Sequence, residues 1–159
     1  MAIRPSDILL TDRVAIVTGA GSGIGHGIAA GMADFGARVA VWERDPRTCA
    51  DAANSIGALG IVTDVRDGAQ VDAALQRTTA ELGPATILVN NAGGLFHSPL
   101  LETSENGWNA LYKANLRHVL LCTRRVTRQL VSSGLAGSVI SLTSIEGVRA
   151  APGARATRR

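Results

Sequence analysis

A glycine-rich stretch, Thr18–Gly25, reads Thr-Gly-Ala-Gly-Ser-Gly-Ile-Gly and could hold a phosphate-bearing ligand. It follows an apolar run at 14–17 and precedes apolar residues at helical spacing, which predicts a strand-to-helix turn. Glycines permit a tight turn and close backbone approach, and the helix start presents free N–H groups and a positive dipole end. We therefore expect a pyrophosphate site with contacts from Gly19, Ser22, Gly23, Ile24 and Gly25. A turn without a ligand is the alternative.

Two charged residues follow the second apolar run, and they bear on which dinucleotide would bind. Glu43 lies 18 residues after Gly25. A carboxylate at this strand end can accept hydrogen bonds from the ribose hydroxyls of NAD and would repel the 2′-phosphate of NADP. The adjacent Arg44 could instead bind that phosphate. The pattern favours NAD over NADP, and a solvated loop acid is the alternative role for Glu43.

Polar residues also end the third and fourth apolar runs. Asp64 and Val65 follow the third run, where a carboxylate could accept a hydrogen bond from an adenine amino group. Asn91, Ala92 and Gly93 follow the fourth, where an amide can bind neighbouring backbone and small residues leave room for a flat ligand. From the residues alone, a turn leading to a helix remains open for Asp64, and a structural turn remains open for the Asn91–Gly93 segment.

The composition excludes several classes of function. With 159 residues, 46% hydrophobic and 18% charged, the chain is expected to form one globular domain. It has no apolar run long enough for a membrane span, and no signal peptide is apparent, so we expect a cytoplasmic protein. The net charge of +3 comes from four arginines after residue 148, which gives no reason to expect a nucleic-acid partner. Cys49 and Cys122 suggest neither a disulfide framework nor a metal site.

The elements that must position these residues alternate between strands and helices. We expect strands at 14–17, 38–42, 59–62, 86–89 and 138–142. The intervening patterns predict helices at about 22–35, 46–55, 68–82, 104–112 and 115–131, with His118 at the surface of the last. Because the strand runs are continuously apolar, they indicate a Rossmann-like, doubly wound parallel α/β sheet. We assign 1–12 to an irregular lead-in, 13–148 to an incomplete dinucleotide-binding domain and 149–159 to a basic, irregular tail.

Taken together, the motifs resemble those of the short-chain dehydrogenase/reductase family. The matching pieces are the glycine turn, Asp64-Val65, Asn90-Asn-Ala-Gly93, Asn115 in Lys-Ala-Asn-Leu, and Ser144 in Ile-Ser-Leu-Thr-Ser-Ile. The resemblance implies hydride transfer between NAD(P) and a small secondary alcohol or ketone, usually in a homo-oligomer. It also implies that Asn115 helps hold a proton relay, that Ser144 binds the substrate oxygen, and that Asn91 to Gly93 line the nicotinamide side.

The family pattern breaks after Ser144. A Tyr-x-x-x-Lys pair is expected about 13 residues later, because a lysine ammonium lowers the tyrosine pKa so that the phenolate can act as a base. Position 157 is a threonine, and the single tyrosine and lysine of the sequence are Tyr112 and Lys113. We therefore expect a sheet truncated after its fifth strand and an impaired oxidoreductase. The alternative is a catalytically inactive dinucleotide-binding remnant or regulatory module.

Overall fold

The computed structural model of the chain describes residues 8–96 and 98–145, apart from the side chain of Leu100. Its five strands form one sheet in the order β3-β2-β1-β4-β5, and every neighbouring pair is parallel. The strands are β1 (Val14–Thr18), β2 (Arg38–Glu43), β3 (Leu59–Val62), β4 (Ile87–Asn90) and β5 (Ser138–Ser141). The predicted doubly wound parallel fold is confirmed, and the strand order reverses between β1 and β4.

The residues that the structure describes form five α-helices, and local capping signals start two of them where the sequence predicts. The five helices are α1 (Gly23–Asp34), α2 (Pro46–Ile56), α3 (Gly68–Leu82), α4 (Glu105–Tyr112) and α5 (His118–Ser132). Asp45 caps α2 by accepting from the amides of Arg47 and Thr48. Asp67 caps α3 by accepting from the amide of Ala69. Both caps satisfy first-turn N–H groups that have no partner within the helix.

The core lies in two layers, one on each face of the sheet. Alternate strand residues such as Ile16 and Leu88 face α3 and α5, where they pack against Val71 and Val126. The intervening strand residues pack with small residues of α1 and α2 on the opposite face. Burial on both faces explains why the strand runs are continuously apolar rather than alternating.

The long helix predicted at 115–131 differs from the observed structure. A π-helical segment, Lys113–Arg117, joins α4 directly to α5. The Asn115 side chain donates from Nδ2 to the Leu111 carbonyl at 3.0 Å, taking an acceptor that the backbone amide four residues later would use in an α-helix. This side-chain bond lies at the wider turn, and such turns are frequent at functional sites.

The outermost described strand, β5, pairs with β4, and all four of its residues are exposed. Residues 1–7 of the predicted lead-in and all of the predicted tail at 149–159 lie outside the described residues. Across 8–96 and 98–145, the structure contains no helix whose length and apolarity would allow it to cross a membrane.

Candidate functional site

Hydrogen bonds join the ends of β1 and β4 at the point where the strand order reverses. The Asn91 Nδ2 donates to the carbonyls of Thr18 at 2.9 Å and Gly19 at 3.1 Å. The Thr18 Oγ1 in turn accepts from the amides of Asn91 and Ala92 at 3.1 and 3.0 Å. The two loops are therefore held as one unit at the carboxyl ends of the strands, where open α/β folds bind their ligands.

Within the glycine turn, Gly19 is required by both its conformation and its neighbour. Its φ is +63°, a region that L side chains rarely adopt, and a Cβ there would lie 2.9 Å from the Ala92 Cα. The turn leads into α1, whose first turn contains no acidic residue. Because the first amides of a helix lack acceptors within the helix, this end suits an anionic group.

The carboxylate of Glu43 is fixed against the glycine turn. Its Oε2 accepts from the Gly21 amide at 3.2 Å, while its Oε1 accepts from the amides of Arg44 and Asp45 at 2.7 and 3.1 Å. A Cβ on Gly21 would lie 2.6 Å from the Glu43 Cγ, so this close approach also needs a glycine. The contact places a negative charge beside the end of β1.

The turn after β3 is closed by an ion pair between Asp64 and Arg66. The Arg66 Nε donates to both carboxylate oxygens, at 2.8 and 3.1 Å, and its Nη2 donates to Oδ2. The Arg66 amide also donates to Oδ1 at 3.0 Å. These bonds lower the pKa of Asp64, chiefly through the Arg66 guanidinium. The Asp64 carboxylate is therefore anionic and held in one orientation.

The residues of the glycine turn and of the loops after β2, β3 and β4 surround one cavity of about 450 Å³. That volume lies within the range of about 300–1,000 Å³ that is usual for ligand sites. Nine of the residues predicted to bind a cofactor line it: Gly19, Ser22, Glu43, Arg44, Asp64, Val65, Asn91, Ala92 and Gly93. Gly23, Ile24 and Gly25 lie at the start of α1 and do not line it, and the Ile24 side chain is 71% exposed.

Sequence reasoning missed several residues of the cavity wall. Arg66, Leu95 and Phe96 line it, as do small or apolar residues at the end of α4 and the start of the π-helical segment. The position of Arg66 two residues after Asp64 was a usable signal, because an aspartate commonly accepts a hydrogen bond from the backbone amide two residues on. No local pattern indicates that residues of α4 reach this wall.

The family model described as short chain dehydrogenase matches residues 13–156. The chain belongs to the short-chain dehydrogenase family. Among curated relatives, it is 31% identical over 139 residues to 2-dehydro-3-deoxy-D-gluconate 5-dehydrogenase of Dickeya dadantii, covering 86% of this chain and 55% of the relative. It is 33% identical over 151 residues to 3-oxoacyl-[acyl-carrier-protein] reductase FabG of Chlamydia muridarum, covering 91% and 60%.

Solved structures of the family also match. A short-chain type dehydrogenase/reductase from Mycobacterium marinum superposes with a TM-score of 0.87 at 32% identity, covering 90% of this chain and 60% of that one. A further curated relative, the NADP-dependent (R)-specific alcohol dehydrogenase of Lentilactobacillus kefiri, is 36% identical over 142 residues, covering 87% and 56%. The chain therefore spans a little over half the length of these relatives.

The two predicted catalytic residues of this short-chain dehydrogenase chain lie outside the cavity lining. Asn115 contacts the wall, since its Nδ2 donates to the Gly94 carbonyl at 2.7 Å and its Oδ1 accepts from the Gly94 amide at 3.1 Å. Ser144 lies beyond the end of β5, and its side chain is exposed. The proton-relay and substrate-binding roles remain predictions for Asn115 and Ser144.

The expectation that His118 lies at the surface is wrong, because only 1% of this residue is exposed. It lies on the inward face of α5 with Cys122, Val126 and Leu130. Burial lowers the pKa of His118, and the nearby Ala92 backbone offsets part of this effect. Neither ring nitrogen makes a hydrogen bond within the described residues. Burial therefore favours the neutral form of this imidazole.

Proposed function

We propose that this chain binds NAD, in preference to NADP, at the crevice between β1 and β4. The family reaction that this site would serve is hydride transfer between the nicotinamide and a secondary alcohol or ketone. One observation carries the proposal: hydrogen bonds join the glycine turn and the loops after β2, β3 and β4 around one cavity of suitable size. The fit is further supported by close approaches at Gly19 and Gly21 that a Cβ would block.

Each loop has a distinct part in this proposal. The turn Gly19–Gly25 and the start of α1 would hold the pyrophosphate. Asp64 and Val65 would bind the adenine, and Asn91, Ala92 and Gly93 would line the nicotinamide side. Bound dinucleotide supplies the hydride donor or acceptor. Ser144 would orient the substrate oxygen, and Asn115 would fix the loop beside it.

The preference for NAD rests on Glu43. Its carboxylate is anchored by three backbone amides at the end of β2, so it cannot easily move away from a 2′-phosphate. Arg44 argues in the other direction, because its exposed guanidinium borders the same cavity. A fixed charge should outweigh a mobile, solvated one, since an exposed side chain loses entropy when it is held in one geometry. The NADP-dependent relative shows that the other preference occurs within the family.

A second candidate function is dinucleotide binding without turnover. One observation favours it. The 159-residue sequence has a single tyrosine and a single lysine, Tyr112 and Lys113, and they lie where α4 meets the π-helical segment. The Tyr-x-x-x-Lys pair of the family is instead expected about 13 residues after Ser144. We also propose a cytoplasmic location and, by family, a homo-oligomer.

Calorimetric titration of the 159-residue chain with NAD, NADP and NADH tests the binding proposal. We expect NAD to bind at micromolar to sub-millimolar concentration, and NADP at least about tenfold more weakly, a difference of about 1.4 kcal/mol. Absence of NAD binding at millimolar concentration would overturn the proposal. A panel of secondary alcohols with NAD, followed at the NADH absorbance, separates the two candidates, because only the oxidoreductase predicts turnover.

A further inference from the structure

The π-helical segment contacts two loops of the cavity at once. From it, Asn115 binds Gly94 in the loop after β4, as described above. Two residues later, the Arg117 Nη1 donates to the carbonyl of Arg66 at 2.9 Å, in the loop after β3. This second bond joins residues 51 positions apart in the chain, and the Arg117 side chain is half-buried. Arg117 itself does not line the cavity.

The turn that Arg117 holds is the one that carries Asp64. Its internal bonds run from Arg66 to the Asp64 carboxylate and from the Asp67 amide to the Asp64 carbonyl at 3.0 Å. The Asp64 amide donates to the Gln70 side chain at 2.9 Å, which ties the turn to α3. These contacts fix the shape of the turn and join it to α3, and the Thr63 amide just before the turn donates to the Glu43 carbonyl at 2.8 Å. Arg117 is the contact that ties it to the segment bearing Asn115.

We propose that Arg117 is a positioning residue for the adenine end of the cavity, acting through the Arg66 carbonyl on the Asp64–Arg66 turn. The inference rests on the proposed dinucleotide function, because it assumes that Asp64 and Val65 meet the adenine. Losing the guanidinium removes a charge-assisted hydrogen bond, a type of bond stronger than a neutral one. The turn would then be free to shift relative to the loop after β4. The adenine site and the nicotinamide site would no longer keep the fixed separation that a bound dinucleotide needs.

The experiment compares fragments that occupy different ends of the site. Affinities for NAD, AMP and nicotinamide mononucleotide are measured for the wild-type chain and for Arg117→Met, which keeps the side-chain length but loses the donors. We expect Arg117→Met to weaken NAD and AMP by about tenfold, with less than twofold change for nicotinamide mononucleotide. Arg117→Lys, which retains a cationic donor, should restore most of the AMP affinity.

The matched control is Arg124→Met, which removes an exposed arginine from α5, the helix that directly follows the π-helical segment. It should leave all three affinities unchanged. Equal weakening of AMP and nicotinamide mononucleotide by Arg117→Met would show a general structural role and overturn the proposal, as would unchanged AMP affinity. If the wild-type chain binds neither NAD nor AMP, the proposed function fails instead, so the two failures are distinguishable.

A measurement on the wild-type chain covers the case in which Arg117→Met does not fold. With ¹⁵N-labelled arginine, the Arg117 side-chain resonance is followed during titration with each fragment. AMP should shift this resonance, because the fragment would meet the turn to which the guanidinium is bonded, whereas nicotinamide mononucleotide should not. A resonance unaffected by saturating AMP would contradict the inference.

Discussion

The carboxamide of Asn115 binds both backbone groups of Gly94, donating to its carbonyl at 2.7 Å and accepting from its amide at 3.1 Å. The same Nδ2 also donates to the Leu111 carbonyl, inside the wider helical turn. One side chain therefore joins α4 to the loop after β4. The two bonds to Gly94 hold the Asn91–Gly94 loop beside the cavity, and removing them should have measurable effects.

Replacing Asn115 with alanine removes three hydrogen bonds, two of them to Gly94. Because these groups are solvent-accessible, we expect a loss of only about 1–2 kcal/mol in the free energy of unfolding. Amide hydrogen exchange at residues 92–96 should accelerate more than exchange in β1 and β2. Asn109→Ala, at an exposed position on α4, is the control and should leave exchange in this loop unchanged. If Asn115→Ala leaves hydrogen exchange at residues 92–96 unchanged, Asn115 does not hold this loop.

Two glycine substitutions should act in opposite directions. Gly19→Ala forces a side chain onto a φ of +63° and against the Ala92 Cα, so we expect it to destabilise the fold by about 1–3 kcal/mol and to weaken NAD binding. Gly27→Ala introduces a Cβ on α1 that meets nothing within 4 Å. It should stabilise the chain by about 0.5–1 kcal/mol, because alanine favours the helix. Urea unfolding of both variants tests the pair, and equal effects would rule out the strain argument.

Cofactor preference should depend on the charge at Glu43. Glu43→Ser removes the anchored carboxylate and leaves Arg44 beside the cavity. We expect NAD affinity to fall and NADP affinity to rise, changing their ratio by about tenfold or more. Calorimetry with both dinucleotides measures the ratio. Asp51→Ser makes the same charge change at an exposed position on α2 and should leave the ratio unaltered. A ratio unchanged in Glu43→Ser would show that another residue sets the preference.

The buried imidazole of His118 should make stability depend on pH. Its pKa in the folded chain is lowered from 6.5 by burial, so below about pH 6.5 the unfolded chain binds a proton that the folded chain does not. The free energy of unfolding should therefore decrease as the pH falls, by at most about 1.4 kcal/mol per pH unit for this one group. His118→Leu removes the titrating group and has no ring nitrogens to leave unpaired.

The measurement compares unfolding of the wild-type chain and His118→Leu between pH 7.5 and about 5, above the range where most carboxylates titrate. The wild-type chain should lose stability relative to the variant as the pH decreases across this range. Parallel curves for the two proteins would show that His118 keeps its ordinary pKa in the folded state.

Sequence alone determined the features that depend on neighbouring residues. The glycine turn between β1 and α1, the aspartate caps of α2 and α3, and the continuously apolar strands all follow from local backbone and burial preferences. Residue types at the strand ends, together with the family motifs, then supplied the candidate site residues, nine of which line one cavity. These could be predicted because turn chemistry and hydrophobic periodicity act over a few residues.

Tertiary structure alone decided the contacts between residues distant in the chain. The half-buried Arg117 reaches Arg66 across 51 positions, and His118 faces the core rather than solvent. Asn115 donates both to Leu111 in α4 and to Gly94 in the loop after β4, and the second contact requires that this loop packs against the helical segment. A helical pattern fixes which residues share a face, but the packing of strands and loops against that face determines what each residue meets.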